Sequence, residues 1–326
     1  MKMHYPLLRF AAMVPFLWGL GMAGASLAQS YTTKVIRLLV PFPPGGPADI
    51  LGRVISQRMS ENFGQQVIVD NRPGANTIIA ANIGAKSAPD GYTLLMAIDS
   101  TLAMNPTLYG KLPYDPLKDF DPVSLIAIVP TVLVVNSQLP VNNVRELIAL
   151  DKSRPGQVMF GSGTLASQLA GELFNSMTGT KLTNVPYNGN SSSITALLAG
   201  DVPILFSGFS TVLAHWKAGR VKVLAALGAA RLSQAPELPT VAESGVPGYE
   251  AQVWQSIVVP AGTPREIIAR LNAELTRIMK LPETRDRLLA AGIEPISSTP
   301  EELAAFIRSE TAKWSKVIKD IGLKIE

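Results

Sequence analysis

The chain of 326 residues contains no cysteine and only two histidines, His4 and His215. The absence of cysteine excludes a disulfide framework and a lipoprotein anchored through a lipidated cysteine. With so little histidine, a zinc or copper site is not expected. A serine or cysteine nucleophile would depend on His215, and no G-x-S-x-G elbow occurs. We therefore predict no catalytic residue, no metal and no cofactor, although a catalytic pair of carboxylates stays open.

Strong charge is also absent. The formal net charge is +4 and no Lys/Arg cluster occurs, so nucleic acid is not an expected partner. Neither G-x-x-x-x-G-K-[ST] nor G-x-G-x-x-G is present, which excludes a P-loop and a Rossmann fingerprint. After the N-terminal region no apolar run reaches the roughly 20 residues that span a membrane. The most apolar run, 125–135, is interrupted by Pro130 and indicates a buried strand pair or a crossing between domains.

The N-terminal region has the three parts of a secretory signal peptide. Lys2 and Arg9 form a basic start, an apolar stretch covers 10–27, and Ser26 and Ala28 are the small residues that a signal peptidase reads. We predict a signal peptide over 1–28, cleavage after Ala28 and a periplasmic mature protein. The alternative is a retained membrane anchor.

The rest of the chain alternates strand and helix patterns. A buried strand is predicted over 35–42 and a helix over 48–63, and the same alternation of strands and helices continues to a strand at 221–226. Such alternation is typical of parallel sheets flanked by helices. Two helices, 264–279 and 300–321, close the chain without strands of their own and are expected to pack on the first sheet. We predict an α/β fold with two mostly parallel sheets: domain 1 from 29–128 and 252–326, and domain 2 from 129–251.

The segment PFPPGGPAD (41–49) follows the first predicted strand and opens the first helix. Glycine lets the backbone approach a ligand, and a helix N-terminus carries unpaired N–H donors with partial positive charge. The turn suits a carboxylate or a phosphate. The alternative, a plain tight turn with Asp49 as a local cap, is equally compatible with the residues.

Other small, neutral, polar turns also lie at the carboxyl ends of predicted strands, which is the edge where open α/β sheets bind ligands. Together they predict a cleft that holds an anion through N–H and O–H donors, without a paired Arg or Lys. The turns contain Asn76 and Thr77, Ser100 and Thr101, Ser162, Gly163, Thr164 and Ser167, and Tyr187 and Asn188.

Long stretches across the mature chain are similar, in the same order, to the Bug-type periplasmic receptors of tripartite tricarboxylate transport systems. They include VPFPPGGPADILGR (40–53), VIVDNRPGAN (67–76), YGKLPYDPLKDFDPVS (109–124) and LPTVAESGVPGYE (238–250). The resemblance implies a periplasmic binding protein architecture: two α/β domains joined by crossing strands, with the ligand cleft between them. It further implies a carboxylate held by the first strand-to-helix turn and the facing turn of domain 2.

By resemblance, the substrate-binding residues are Phe42, Pro44, Gly45, Gly46, Asp49, Asn76, Thr77, Ser162, Gly163, Thr164, Ser167, Tyr187 and Asn188. The strand-end pattern adds Ser100 and Thr101 to this set. Ser207 and Phe209 are added because they follow a predicted strand of domain 2. The chain departs from the family pattern where Asn76-Thr77 replaces a second glycine pair and where Asn188 replaces the usual lysine. These departures bear on which ligand fits.

The resemblance implies an extracytoplasmic solute receptor, not an enzyme, that captures a small carboxylate and delivers it to integral membrane transporter subunits. A monomer is expected. Two alternatives stay open: a ligand sensor that feeds a signalling partner, and a secreted hydrolase on the same scaffold.

Overall fold

A computed structural model describes residues 1–4 and 32–325, and it places the chain in two β-sheets flanked by helices. The predicted signal peptide lies outside these described residues apart from its first four, and the cleavage site at Ala28 lies outside them entirely. Within the described ranges, no helix combines the length and the apolar character that a membrane crossing requires. The predicted α/β class with two helix-flanked sheets is confirmed.

The first sheet has six strands: β1 (Ile36–Val40), β2 (Val67–Asn71), β3 (Thr93–Ile98), β4 (Phe120–Val129), β10 (Val253–Pro260) and β11 (Glu294–Pro295). In space they follow the order β11-β4-β10-β3-β1-β2. β1 pairs in parallel with β2 and β3, while β10 runs antiparallel to both β3 and β4. Strands β1, β3 and β10 are buried along almost their whole length, as expected of central strands covered by helices on both faces.

The second sheet has five strands: β5 (Thr131–Asn136), β6 (Met159–Ser162), β7 (Thr183–Pro186), β8 (Ile204–Gly208) and β9 (Val221–Ala226). Their order in space is β7-β6-β8-β5-β9. β6 is parallel to β7 and β8, and β5 is antiparallel to β8 and β9.

Ten α-helices occur in the part of the chain that the structure describes: α1 (Pro47–Phe63), α2 (Ile78–Ala85), α3 (Asn105–Leu108), α4 (Val144–Ser153), α5 (Leu165–Thr178), α6 (Asn190–Ala199), α7 (Phe209–Lys217), α8 (Arg265–Lys280), α9 (Pro282–Ala290) and α10 (Pro300–Asp320). A 3-10 turn, Ala75–Thr77, precedes α2, and a π-helical turn, Ser100–Met104, precedes α3. Several helices begin at local signals in the sequence. Pro47 occupies the first position of α1, and α5 and α10 each begin with a capping box.

The sheets are more mixed in direction than the sequence pattern indicates. The reason is the connection between them. β4 leads out of the first sheet and β10 returns to it from the second, so the two strands run in opposite directions and pair antiparallel. The expectation that the helices closing the chain have no strand of their own was wrong. The short strand β11 lies between α9 and α10 in the chain and pairs with β4.

Two segments connect the sheets. At the first, only Pro130 separates β4 from β5, so the apolar run 125–135 is a crossing. The second covers 227–252 and leads into β10. The two crossings are joined by hydrogen bonds: the Leu227 amide donates to the Thr131 carbonyl at 2.9 Å, and the Thr131 hydroxyl donates to the Ala251 carbonyl at 3.0 Å. The link between the sheets therefore consists of two chain segments held side by side.

Candidate functional site

A cavity of about 650 Å³ lies between the two sheets, at the edge where their strands end. Its size is within the range of small-molecule sites. Residues from both sheets and from both crossings line it. They are Phe42, Pro43, Pro44, Gly46, Pro47, Ala48, Asn76, Ile98, Asp99, Ser100, Val129, Thr131, Thr164, Leu165, Ala166, Ser167, Ala170, Asn190, Phe206, Ser207, Gly208, Leu227, Ala251, Val253 and Gln255.

Four helices begin at this cavity. The residue before α1 is Gly46, the residue before α5 is Thr164, α6 starts at Asn190, and the residue before α7 is Gly208. Each helix N-terminus directs unpaired N–H groups and a partial positive charge outward. Their convergence makes the cavity favourable for an anion without any cationic side chain.

The β1–α1 turn contributes backbone rather than charge. Gly46 and Pro44 line the cavity, whereas Gly45 and Asp49 do not. Gly45 has a φ of +93°, which favours glycine, and Asp49 is buried beneath the turn. Burial raises the pKa of the Asp49 carboxyl, but hydrogen bonds from Arg53, Gly45 and Asn71 outweigh it and hold the pKa below its usual range. Asp49 is thus an ionised internal brace of the turn.

The second turn is built from residues in an unusual backbone conformation. Ala75, Asn76 and Thr77 all have positive φ, between 45° and 75°. L-residues adopt this region at a cost of roughly 1–2 kcal/mol each, so the surrounding structure must hold them there. The Asn76 side chain donates to Asn105 Oδ1 at 2.7 Å, and Asn105 donates back to the Asn76 carbonyl at 2.9 Å.

Asn76 is thereby presented to the cavity, but the neighbouring predicted residues are not. Thr77 and Thr101 are buried and bond each other through their hydroxyls at 2.8 Å. They form the support behind Asn76 and Ser100, which do line the cavity. The strand-end pattern pointed to this region of the cavity wall and could not separate the lining residues from the residues that support them.

The facing wall comes from the start of α5. Thr164 and Ser167 line the cavity and cap the helix reciprocally: the Ser167 amide donates to Thr164 Oγ1 at 3.2 Å, and the Thr164 amide donates to Ser167 Oγ at 2.9 Å. Ser162 does not line the cavity because it is the last residue of β6, in register with Pro186. Gly163 lies against the backbone of Gly189 and Asn190, which leaves no room for a side chain.

Among the remaining predicted residues, Ser207 lines the cavity and three do not. Tyr187 packs with the core of the second sheet, and Asn188 is exposed. Phe209 is 2% exposed and stacks near Trp216, with 5.9 Å between ring centroids. Here the lining residue of the loop is Asn190, two positions beyond the predicted Asn188.

Sequence reasoning also missed a large apolar part of the cavity. Both crossings contribute to it, through Val129 and Thr131 from the first and Leu227 and Ala251 from the second, and Val253 adds to it from the start of β10. Phe206, Ile98 and Leu165 add apolar surface from the strand ends and α5. The apolar run 125–135, for which a crossing between domains was one of two interpretations, was the available signal, since a ligand between two sheets lies against the segments that connect them.

Two further polar residues were not predicted. Asp99 is 2% exposed, and its Oδ1 accepts from the Ser100 amide at 2.7 Å. Burial raises the pKa of Asp99 to about 7, against the lowering effect of that hydrogen bond. Gln255, on β10, is in register with Ile98 and is 4% exposed. Among the described residues, the lining includes no Lys, Arg or His, so Asp99 is its single ionisable side chain.

The lining residues are suited to binding a small solute. Across the residues that the structure covers, no group of three His, Cys, Asp or Glu side chains is placed to hold a metal ion. The lining offers helix N-termini, hydroxyls, amides and apolar surface. This combination matches a small anionic solute with an apolar body.

The sequence matches a family model described as tripartite tricarboxylate transporter family receptor over residues 51–323. The protein BugT of Bordetella pertussis is 36% identical over 314 residues, which cover 95% of this chain and 96% of BugT. A protein from the tcbD-tcbE intergenic region of Pseudomonas sp. strain P51 is 37% identical over 303 residues, covering 92% of this chain and 90% of that protein.

Solved structures with the same fold include several solute-binding proteins. Rpa4515 of R. palustris, solved with adipate, has a TM-score of 0.75 and 37% identity, covering 89% of this chain and 98% of its own. MatC of Rhodopseudomonas palustris, solved with bound malate, has a TM-score of 0.71 and 29% identity, covering 88% and 99%. A TctC solute-binding protein from Polaromonas, without ligand, has a TM-score of 0.81 and 26% identity, covering 89% and 100%.

Proposed function

The chain belongs to the tripartite tricarboxylate transporter receptor family, and we propose from its site that it captures a small carboxylate in the cavity between its two sheets. The observation that carries this proposal is the convergence of four helix N-termini on a cavity whose described lining has no cationic side chain. Helix N-termini bind carboxylates through N–H donors and dipoles. The relatives solved with adipate and malate support a carboxylate as the ligand class.

In this proposal, three parts of the cavity wall bind different parts of the ligand. The turn at Gly46 and the start of α1 receive the carboxylate from one side. The start of α5, at Thr164 and Ser167, receives it from the other. The apolar surface from Phe206, Val253 and neighbouring residues covers the carbon body.

We further propose that the chain forms two domains, 29–128 with 252–326 and 129–251, that close on the ligand. The two crossings would act as the hinge, since Pro130 and the segment 227–252 link the sheets. The neighbours of Pro130, Val129 and Thr131, and the two ends of the second crossing, Leu227 and Ala251, line the cavity. A ligand that touches both domains favours the closed arrangement, and the population shifts toward it. The closed form is then read by integral membrane transporter subunits.

The proposed receptor is a periplasmic monomer without catalytic activity. A signal peptide over 1–28 would export it. A hydrolase would need a nucleophile and a base in the same cavity, whereas the described lining offers hydroxyls and no histidine. His215 lies on α7, outside that lining.

Ligand-dependent thermal unfolding tests the proposal. Adipate, malate and related acids are compared with their amides, and binding is confirmed by calorimetry. A ligand at about 100 times its Kd stabilises a protein by roughly 2.7 kcal/mol, which is a shift of a few degrees at this size. We expect acids to raise the unfolding temperature and amides not to. Stabilisation by sugars or by the amides alone would contradict the carboxylate assignment.

A pair of glycine variants localises the effect. Gly46→Ala adds a methyl group at the cavity, where no protein atom lies within 4 Å, so folding is preserved while the ligand loses its close approach to the backbone. Gly110→Ala adds the same group to open space away from this cavity. We expect weaker binding for the first variant and unchanged binding for the second.

A further inference from the structure

Four residues of the cavity lining carry buried oxygen atoms that have no hydrogen-bond partner in the described structure. They are Asp99 Oδ2, Asn190 Oδ1, Ser207 Oγ and Gln255 Oε1. Buried polar atoms in folded proteins are almost always paired, because leaving one unpaired destabilises the fold. Four such atoms around one cavity indicate that a bound molecule supplies the missing partners.

The chemistry of these atoms is mostly that of acceptors. A carboxylate oxygen and two amide oxygens accept hydrogen bonds, and only the serine hydroxyl can also donate. A ligand that satisfies them must therefore carry N–H or O–H donors. Asn190 is the first residue of α6, and Ser207 lies just before the start of α7. A carboxylate carries no donor, so the group that meets Asp99 Oδ2 and Gln255 Oε1 is different from the carboxylate expected at the helix N-termini.

Asp99 is the ionisable member of this set. It follows β3, which is parallel to β1, so Asp99 lies at the same sheet edge as the β1–α1 turn. Gln255 sits beside it because β10 pairs Gln255 with Ile98. The cavity thus has acceptors and the N-terminus of α1 along one edge of the first sheet.

No protein cation in the described lining neutralises Asp99. The charged groups that act on it, Glu310 and Lys313, both lie on α10. Lys313 is already paired with Glu310 and donates to the Glu250 carbonyl at 3.0 Å. Glu310 in turn accepts from the indoles of Trp254 and Trp314, each at 3.0 Å. The Lys313–Glu310 ion pair is therefore already bonded to other groups. A cation that pairs with ionised Asp99 has to come from the ligand.

We propose that the cavity selects a carboxylate that also carries an amino group, and that Asp99 is the residue that receives this group, with Gln255 beside it. The inference rests on the proposed function, because it assigns the second end of the same ligand. The apolar lining between the two polar regions accommodates a short hydrocarbon body. A simple dicarboxylate is disfavoured while Asp99 is ionised, since its second carboxylate would then face the acceptor oxygens of Asp99 and Gln255.

Matched ligand sets test the inference by calorimetry. Each set holds a monocarboxylate, its amino analogue and its dicarboxylate analogue: butyrate, γ-aminobutyrate and succinate; hexanoate, ε-aminohexanoate and adipate; benzoate, para-aminomethylbenzoate and terephthalate. We expect the amino analogue of the best-fitting set to bind about tenfold or more tightly than the other two, as for one charge-assisted hydrogen bond.

Variants then assign the preference to Asp99. Asp99→Asn keeps the shape and removes the charge, and it should abolish the amino preference while binding of the monocarboxylate persists. Asp320→Asn, at an exposed surface ion pair, is the matched control and should leave both affinities unchanged. The comparison of ligands on the unmodified protein stands even if Asp99→Asn folds poorly.

The outcomes separate the inference from the proposed function. Tight binding of monocarboxylates or dicarboxylates without an amino preference would overturn the inference and leave the carboxylate receptor intact. An amino preference that survives in Asp99→Asn would also overturn the assignment to Asp99. If no acid of any set binds, while amines or neutral solutes do, the proposed function fails and this inference fails with it.

Discussion

The amide of Gly45 donates a hydrogen bond to the carboxylate of Asp49 at 2.9 Å. The same carboxylate accepts from Arg53 Nε at 2.8 Å and from the Asn71 side chain at 3.0 Å. The carboxylate of Asp49 is therefore fully engaged in hydrogen bonds that hold the turn together. Because Asp49 does not line the cavity, its charge shapes the loop around Gly46 and leaves that position to the ligand.

Replacement of this brace should cost stability. Asp49→Ala leaves the Gly45 amide without its acceptor and removes one of the two acceptors of the Asn71 side chain, which keeps the Phe42 carbonyl. We expect a loss of about 1–3 kcal/mol in the free energy of unfolding. Carboxylate binding should weaken because the turn is no longer held. Urea denaturation measures the first effect and calorimetry the second. Arg53→Ala, whose side chain is 53% exposed, is the control and should cost at most about 1 kcal/mol. An Asp49→Ala protein as stable as the parent would contradict the role of this carboxylate.

A second prediction concerns the strained turn at Asn76. Asn105→Ala removes both hydrogen bonds that hold Asn76 at a φ of 48°. Asn76 can then leave its strained conformation, so its side chain no longer faces the ligand and we expect the affinity to fall. The lost hydrogen bonds should also lower the free energy of unfolding by about 1–3 kcal/mol.

Asn143→Ala separates the two effects. Asn143 caps α4, away from the cavity lining, and its loss should cost about 1 kcal/mol while affinity is unchanged. Equal affinity in Asn105→Ala and the parent would show that the Asn76 conformation is irrelevant to binding.

Gly163 provides a third prediction. A Cβ at this position would lie 2.6 Å from the Asn190 backbone nitrogen and 2.6 Å from the Gly189 carbonyl carbon. Gly163→Ala should therefore push the start of α6 away and destabilise the protein by roughly 1–3 kcal/mol. Thermal unfolding beside Gly110→Ala, which meets no neighbour, checks this expectation. Matching unfolding temperatures for the two variants would be inconsistent with the close packing of these loops.

The fourth prediction is a pH dependence caused by Asp99. Burial raises its pKa from 3.8 to about 7 in the folded protein, with Glu310 raising it further and Lys313 lowering it. A raised pKa means that the folded state holds the proton more strongly than the unfolded state. This contribution to stability is present below about pH 4 and is lost as the pH rises to about 7.

The ligand-free Asp99→Asn variant should not lose this contribution to stability as the pH rises. Its stability relative to the parent should increase between about pH 4 and pH 7, by up to about 4 kcal/mol for a fully buried group. Denaturation curves at a series of pH values measure the difference, and the other carboxylates cancel because both proteins contain them. Curves that stay parallel over this range would show that Asp99 is ionised throughout.

Much of this organisation could be predicted because it is local. The periodicity around 48–63 predicts α1, Pro47 and Gly64 mark its ends, and the order of strands and helices predicts two α/β sheets. The four strand-end regions with small polar residues were found for the same reason: a turn needs glycine, asparagine or serine wherever it occurs. The domain boundaries at 128/129 and 251/252 stay a prediction, although β4 and β5 do lie in different sheets on either side of Pro130.

Which residue of each turn faces the cavity was decided only by tertiary structure. Thr77 and Thr101 are as polar as Asn76 and Ser100, yet both are buried and their hydroxyls bond each other behind the wall. Asp99 and Gln255 are 156 positions apart in the chain and become neighbours through the pairing of β3 with β10. Composition and periodicity describe what each segment prefers by itself. The lining of a cavity depends on how distant segments meet, and that is fixed by packing between the sheets and the two crossings.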